Sequence, residues 1–405
     1  MTSSSLIKRK KNLRILKNKR VFLGITGGVA AYKSIDLIRR LRDAGASVTV
    51  AMTGAAVQFV TPLSLEVASQ NKVYTSLFSE PMAHIALPAG SDIMVIAPAT
   101  ANTIAKLAHG IADDLLSTCF LSYEGKTIIA PAMNWRMYEN RIFRENLEKL
   151  LSHGVIQVGP ERGNLACGEE GIGRMAEPAE IVEAVEAALS KKDLTDEQIV
   201  ITAGPTREYL DPVRFISNRS SGKMGYALAR AARNRGARVT LISGPTSIRP
   251  PADIEFAGVE TAAEMMQALK KHVEETTTVL IMAAAVADFS PPLTSKTKIE
   301  KNRELQITLL PTEDIVSSFA APGEKPFIIG FAAETGHNIS RAREKMKTKR
   351  MDMIVFNDIT EPGAGFDVDT NKVTFIDGKG TTELDLMSKN AVADAILDRM
   401  LEIKA

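Results

Sequence analysis

The first half of the chain alternates short β-rich apolar runs with stretches of helical period. The runs are Val21–Ile25, Ser47–Met52, Ile93–Ala97 and Thr127–Ala130; Ile35, Leu37, Ile38 and Leu41 carry the helical spacing behind the first. Each run reads as a buried strand, and the order predicts a parallel sheet with helices on both faces. The charged, apolar-poor stretch Ser190–Glu197 interrupts the pattern. It then restarts with a strand over Ile199–Ala203, a helix near Gly225–Asn234 and a strand over Ala237–Ser243. Later strands are expected at Val279–Ala284, Phe327–Phe331 and Met353–Phe356. A chain of 405 residues has room for two such domains. The expected division is a basic extension over 1–19, a first α/β domain over 20–190, a linker over 191–197 and a second α/β domain over 198–405, both doubly wound.

Composition excludes several functions. Hydrophobic content of 45% and charged content of 24% belong to a globular protein. A net charge of +2 exerts no global pull on nucleic acid or membrane. The basic cluster from Lys8 to Arg20 reads as a solvated extension without the apolar core of a secretory signal. No run approaches the roughly 20 apolar residues of a membrane span. Two cysteines fit a reducing compartment, so a cytoplasmic location is expected. Cys119, in the apolar stretch 115–121, reads as an inert core thiol, whereas Cys167 lies in a glycine-rich loop where a thiol can react.

In doubly wound sheets ligands collect at the carboxyl ends of the strands. The first run ends in Thr26-Gly27-Gly28, where glycines let a ligand approach the backbone and a helix start favours a phosphate. The second ends in Thr53-Gly54, the third in Pro98-Ala99-Thr100-Ala101-Asn102-Thr103, the fourth in Pro131-Ala132-Met133-Asn134. Four consecutive ends with small and hydrogen-bonding residues suggest one crevice for a phosphorylated cofactor. The first turn is neither a Walker loop nor G-x-G-x-x-G.

The last two of these segments, with Ala166-Cys167-Gly168-Glu169-Glu170-Gly171-Ile172-Gly173-Arg174-Met175-Ala176-Glu177-Pro178, closely resemble the flavin-dependent cysteine decarboxylases. With the second half included, the chain from about Lys19 resembles the bacterial bifunctional phosphopantothenoylcysteine decarboxylase/phosphopantothenate–cysteine ligases. The resemblance implies a flavodoxin-like or Rossmann-like first domain holding FMN, with Gly27 and Gly28 near its phosphate and Thr53, Thr100, Asn102 and Met133 along it. It also implies that His84 serves as base or polar anchor, that Asn134 binds the substrate carboxylate and that Cys167 protonates an enethiolate. The substrate's cysteine side chain would first be oxidised to a thioaldehyde, giving decarboxylation an electron sink. Without the resemblance, His84 is a lone histidine among apolar residues and Asn134 a turn or helix cap.

The second half repeats the theme. Ile201-Thr202-Ala203-Gly204 leads into a polar loop, Asp211–Gly225, whose Ser220, Ser221 and Gly222 offer donors at a helix start. Met282-Ala283-Ala284 is a small-residue strand end that closes on Asp288, a candidate ligand for Mg²⁺ or a ribose hydroxyl. Lys345 and Lys349 are four apart on one helix face. The resemblance implies a Rossmann-like ligase domain that activates 4′-phosphopantothenate with CTP and Mg²⁺ before L-cysteine's amine displaces CMP. Lys298 then matches the lysine needed for cytidylate formation and Asn218 the asparagine needed for its conversion to amide. Glu313, Asp314, Ile315, Val316 and Phe331 fall at the nucleotide, with Met282, Ala283, Ala284, Lys345 and Lys349. Glu300 departs from the pattern, since relatives commonly carry a second lysine there. Family members form trimers with flavin sites at subunit contacts, and bifunctional ones dodecamers, so a homo-oligomer is expected, with no nucleic-acid or membrane partner.

Two rivals remain on the residues alone. A generic dehydrogenase lacks support because Ser47–Met52 ends in Thr53 rather than an acidic ribose ligand. A non-enzymatic flavoprotein-fold regulator would not need the second domain.

Overall fold

The computed structural model describes residues 16–78, 80–164, 168–301, 305–320, 325–336 and 338–405. The chain separates into two compact units meeting at Ser190/Lys191.

In the amino-terminal unit six strands lie in the order Val73–Tyr74, Ser47–Met52, Arg20–Ile25, Ile93–Ala99, Thr127–Pro131 and Ile156–Gln157, all parallel. Ile93–Ala99 and Thr127–Pro131 are buried at every position, as a central strand covered on both faces must be. One face packs Leu37, Ile38, Leu41, Ile181 and Val185 against the sheet, the other Ile104, Leu116, Phe143 and Leu147. Read by chain position the order is 3-2-1-4-5-6. Its connections therefore reverse direction between Arg20–Ile25 and Ile93–Ala99, the switch point where such sheets open a crevice. A separate antiparallel pair, Glu161–Asn164 with Glu170–Arg174, follows the last strand. It packs on the short helix Trp135–Tyr138, and the Trp135 indole N–H donates to Glu169 at 2.8 Å.

The carboxy-terminal unit repeats the arrangement. Its sheet runs Glu255–Gly258, Arg238–Ser243, Gln198–Ala203, Val279–Met282, Phe327–Glu334, Met353–Asp358, Thr374–Asp377 and Gly380–Glu383. The first six are parallel, again in 3-2-1-4-5-6 order, and the last two form an antiparallel hairpin on the edge. The helices Lys223–Asn234 and Lys389–Lys404 cover one face, with Leu228, Ala232, Val392 and Ile396 in the core. Gly225 is required here, because a Cβ would lie 2.5 Å from Ala203 Cβ and hold the helix off the sheet. The predicted strands are present within one to three residues at either end; the hairpin Thr374–Glu383 is an addition.

Candidate functional site

At the switch point of the first sheet a cavity of about 870 Å³ opens, a size suited to a cofactor. Gly27, Gly28, Thr53, Thr100, Asn102, Met133 and Asn134 all line it. The turn after Arg20–Ile25 is tied to its neighbour: Thr26 Oγ1 donates to Pro98 O at 2.7 Å and accepts from Thr100 N–H at 3.1 Å. Thr100 caps the helix Ala101–His109, accepting from Thr103 N–H, so its hydroxyl serves the fold as well as the cavity wall. Asn134 likewise caps Trp135–Tyr138 through Arg136 N–H at 2.9 Å. The far wall is Asn164, Gly173 and Arg174 from the antiparallel pair, with Met175 just after it. Gly173, at φ +154°, lets Met133 O lie where a Cβ would be only 2.1 Å away, which brings that wall against the strand end.

Three charged groups on the wall went unread in the sequence. Lys33 reaches Glu177 at 2.7 Å and is largely buried. Lys106 pairs with Asp113 and Asp114, and the hydrogen bond it donates to Asp113 raises the ammonium's proton affinity further. Asp114 itself lines the cavity. Two predicted residues stand apart. His84, second in the helix Ala83–Ala89, is not among the lining residues; its carbonyl accepts from Ser122 Oγ at 2.6 Å. Cys167 lies outside the described residues. Cys119 is fully buried, and desolvation pushes its thiol up to about 12, as befits an inert core cysteine.

The second crevice, about 570 Å³, opens at the corresponding place in the carboxy-terminal sheet. Asn218, Met282, Ala283, Ala284, Asp288, Glu313, Asp314, Ile315, Val316, Phe331, Lys345 and Lys349 all line it. Asn218 Nδ2 donates to Val286 O at 2.7 Å, tying the polar loop to the small-residue strand end. Asp314 caps the helix Ile315–Phe319 and pairs with Lys349. Burial would raise that carboxyl, but the bonds from Lys349 and Ser317 outweigh it and hold the group low. Lys345 is pulled down by burial and by Lys349 beside it. Lys349 pairs with Asp314, and Lys345 feels the charges of Asp288 and Asp314, a wall of mixed sign.

Lys298 is exposed and not among the lining residues. Its segment is nonetheless anchored: the buried Asp211 carboxylate accepts from Val213 N–H, Arg214 N–H and Ile299 N–H, and pairs with Arg214. Burial opposes this charge, yet those backbone donors hold the carboxyl below its ordinary range. No group of three or more His, Cys, Asp or Glu side chains able to cage a metal occurs among the described residues, Asp288 included. No helix among them is long and apolar enough to cross a membrane. On the crevice wall Asn357, Asn371 and Lys389 carry polar groups that sequence reading missed. The strand or helix ends that hold them looked ordinary in the sequence.

Comparison with known proteins agrees with this division. Residues 9–190 match the family described as Flavoprotein, and residues 194–403 the DNA/pantothenate metabolism flavoprotein C-terminal domain. The chain is 44% identical over 393 residues to the coenzyme A biosynthesis bifunctional protein CoaBC of Vibrio cholerae, covering 95% of this chain and 98% of that one. It is 43% identical over 396 residues to the protein of the same name in Escherichia coli K12, covering 95% and 97%. Among solved structures, the C-terminal domain of such a protein is 40% identical and covers 52% of this chain and 99% of its own, with a TM-score of 0.45.

Proposed function

Because the chain belongs to the family of bifunctional coenzyme A biosynthesis proteins, we propose that its two crevices serve two consecutive reactions of that route. The enzyme is a phosphopantothenate–cysteine ligase and an FMN-dependent phosphopantothenoylcysteine decarboxylase. The carboxy-terminal crevice joins 4′-phosphopantothenate to L-cysteine, and the amino-terminal one converts the product to 4′-phosphopantetheine. One observation carries the reading: each half of a chain related to such proteins along its length has its own crevice at its own switch point.

In the first crevice the residues fit a flavin. The Gly27-Gly28 turn leaves backbone room for a phosphate, and Thr53, Thr100, Asn102 and Met133 line the remainder. When bound, FMN would take two electrons from the substrate's cysteine side chain, which makes loss of CO₂ feasible, and would return them afterwards, so that the net reaction is redox-neutral. Asn134 holds the substrate carboxylate by neutral hydrogen bonds, and Cys167 gives the proton that completes the thiol product. His84, away from the lining of the single chain, fits a crevice completed by a neighbouring copy in a homo-oligomer.

In the second crevice CTP is the activating nucleotide. Met282, Ala283, Ala284 and Phe331 give its base and ribose a flat, close surface, while Lys345 and Lys349 on the wall offset phosphate charge; Lys298, off the lining, joins them in this reading through its family match. Asn218 serves the later conversion to amide. Mg²⁺ takes one or two carboxylates plus phosphate oxygens and keeps its waters, which suits Asp288 on a wall without a metal cage. Two cysteines in 405 residues suit a reducing compartment, and a cytoplasmic location is part of this reading. The test is to incubate purified protein with 4′-phosphopantothenate, L-cysteine, CTP and Mg²⁺ and look for 4′-phosphopantetheine. A colourless protein that cannot be reconstituted with FMN and releases no pyrophosphate refutes both assignments.

A further inference from the structure

One wall of the carboxy-terminal crevice carries polar groups to which none of the roles above gives work. Asn357, near the end of Met353–Asp358, is only 8% exposed. Its Nδ2 donates to Ala364 O at 2.9 Å, which fixes the amide's orientation, and its Oδ1 is buried with no hydrogen-bond partner. Lys389, first residue of the helix Lys389–Lys404, is 6% exposed. Its Nζ donates to Phe366 O at 2.9 Å and Gly365 O at 3.3 Å. An ammonium has three donors, and no further acceptor or carboxylate partner for this one occurs among the described residues. The two side chains thus grip three consecutive carbonyls, 364 to 366, of one loop.

Holding the loop does not account for the unfavourable setting of either group. A lysine at a helix start meets the positive end of the helix dipole. Burial pushes its ammonium down to about 8, with Lys223 adding to the effect. An orphan amide oxygen is likewise costly to bury. Both residues line the crevice, so a cationic donor and a neutral acceptor stand in its wall. A phosphate suits the first and is repelled by the second, since it brings only acceptors. A free α-amino acid with its amine unprotonated satisfies both.

The position agrees. Ser221 Oγ donates to the same Phe366 carbonyl, at 2.6 Å, and Ser221 stands three residues from Asn218. Arg219 and Lys223 reach Asp367 and Asp369 of the same loop.

We propose that Lys389 and Asn357 seat the amino-acid substrate: the Lys389 ammonium takes its α-carboxylate, and Asn357 Oδ1 accepts a hydrogen bond from its α-amine. This deepens the ligase reading and rests on it. The amine lone pair forms the new C–N bond to the acyl carbon, and the acyl C–O bond to the nucleotide phosphate breaks. The nucleoside monophosphate leaves with that electron pair, and the nitrogen gives its extra proton to bulk water.

The test uses the full-length protein, with L-cysteine and cysteamine as alternative amines; cysteamine lacks the α-carboxylate. Wild type should show a KM for cysteamine about 10- to 100-fold above that for L-cysteine, the range of a lost charge-assisted hydrogen bond. Lys389→Met should raise the KM for L-cysteine to that level and leave the cysteamine value unmoved. Asn357→Ala should raise both. Each variant should still release pyrophosphate from CTP and 4′-phosphopantothenate when no amine is present. Equal loss for both amines in Lys389→Met, a wild type indifferent to the carboxylate, or loss of pyrophosphate release in step with amide formation overturns the proposal. Should Lys389→Met fail to fold, Lys389→Gln keeps a donor for the loop without the charge and carries the same comparison. Failure of the ligase reading looks different, because wild type would then release no pyrophosphate.

Discussion

Gly27 gives the sharpest test of the flavin crevice. A Cβ built there lies 2.4 Å from Ala55 Cβ and 2.8 Å from the Ala55 carbonyl carbon, so relief requires backbone movement. Reaching ordinary contact needs a shift of about 1 Å. The segment that must give way is fixed to the sheet by Thr53 N–H donating to Ile25 O at 3.0 Å. Overpacking of this kind costs about 1–3 kcal/mol. If the folded unit absorbs it in full, Tm falls by about 2–12 °C, at about 2–4 °C per kcal/mol. If the wall swings outward instead, the cost appears in FMN affinity as about a 5- to 150-fold rise in Kd. Flavin fluorescence quenching of the apoprotein and a thermal melt of the same sample separate the two. Gly28→Ala, whose Cβ lies 3.6 Å from Thr100 Cγ2, and Gly54→Ala, with nothing within 4 Å, should leave the apoprotein's Tm unchanged. A Gly27→Ala protein with both wild-type Tm and wild-type FMN affinity would show that the turn is not packed as described.

Other expectations follow from particular contacts. Asp211→Asn weakens the anchor on Ile299 and so frees the Lys298 segment; pyrophosphate release should drop while the flavin spectrum stays unchanged, and an unaltered rate refutes the link. Burial pushes the Asp394 carboxyl up to about 6. A carboxyl raised on folding binds its proton in the folded state first, so its ionisation removes stability as pH climbs from the ordinary carboxylate range through about 6. Asp394→Asn should therefore raise Tm at pH 7.5 but not at pH 4, and equal shifts at both would contradict the assignment. Cys119, with its thiol near 12, should escape iodoacetamide at pH 8 in the native protein, as peptide mass spectrometry would show.

The sheets were legible because their strands are apolar on both faces and leave long runs, such as Ile93–Ala97 and Val279–Met282. The edge hairpin Thr374–Asp377 with Gly380–Glu383 escaped because its second strand, Gly-Thr-Thr-Glu, is exposed and carries no such run. Small residues at strand ends pointed to both crevices before any geometry was known. Lys389 and Asn357 could not be found that way. A lysine opening a helix reads as solvated, and an asparagine closing a strand reads as a turn; only burial distinguishes them. Asp211 was hidden for a related reason, since an Asp-Pro pair signals a turn and says nothing of Ile299, 88 residues further along. His84 and Lys298 came from resemblance rather than pattern, and both lie off the lining of their crevices.

The four buried clusters divide cleanly at the boundary: two draw on residues between 16 and 188, two on residues between 194 and 400. Cooperative melting follows shared cores, so calorimetry should register two heat-absorption peaks rather than one. Ligand linkage then becomes a map of occupancy. Riboflavin phosphate should delay one peak alone, and a cytidine nucleotide only the other, each by an amount set by its concentration relative to Kd.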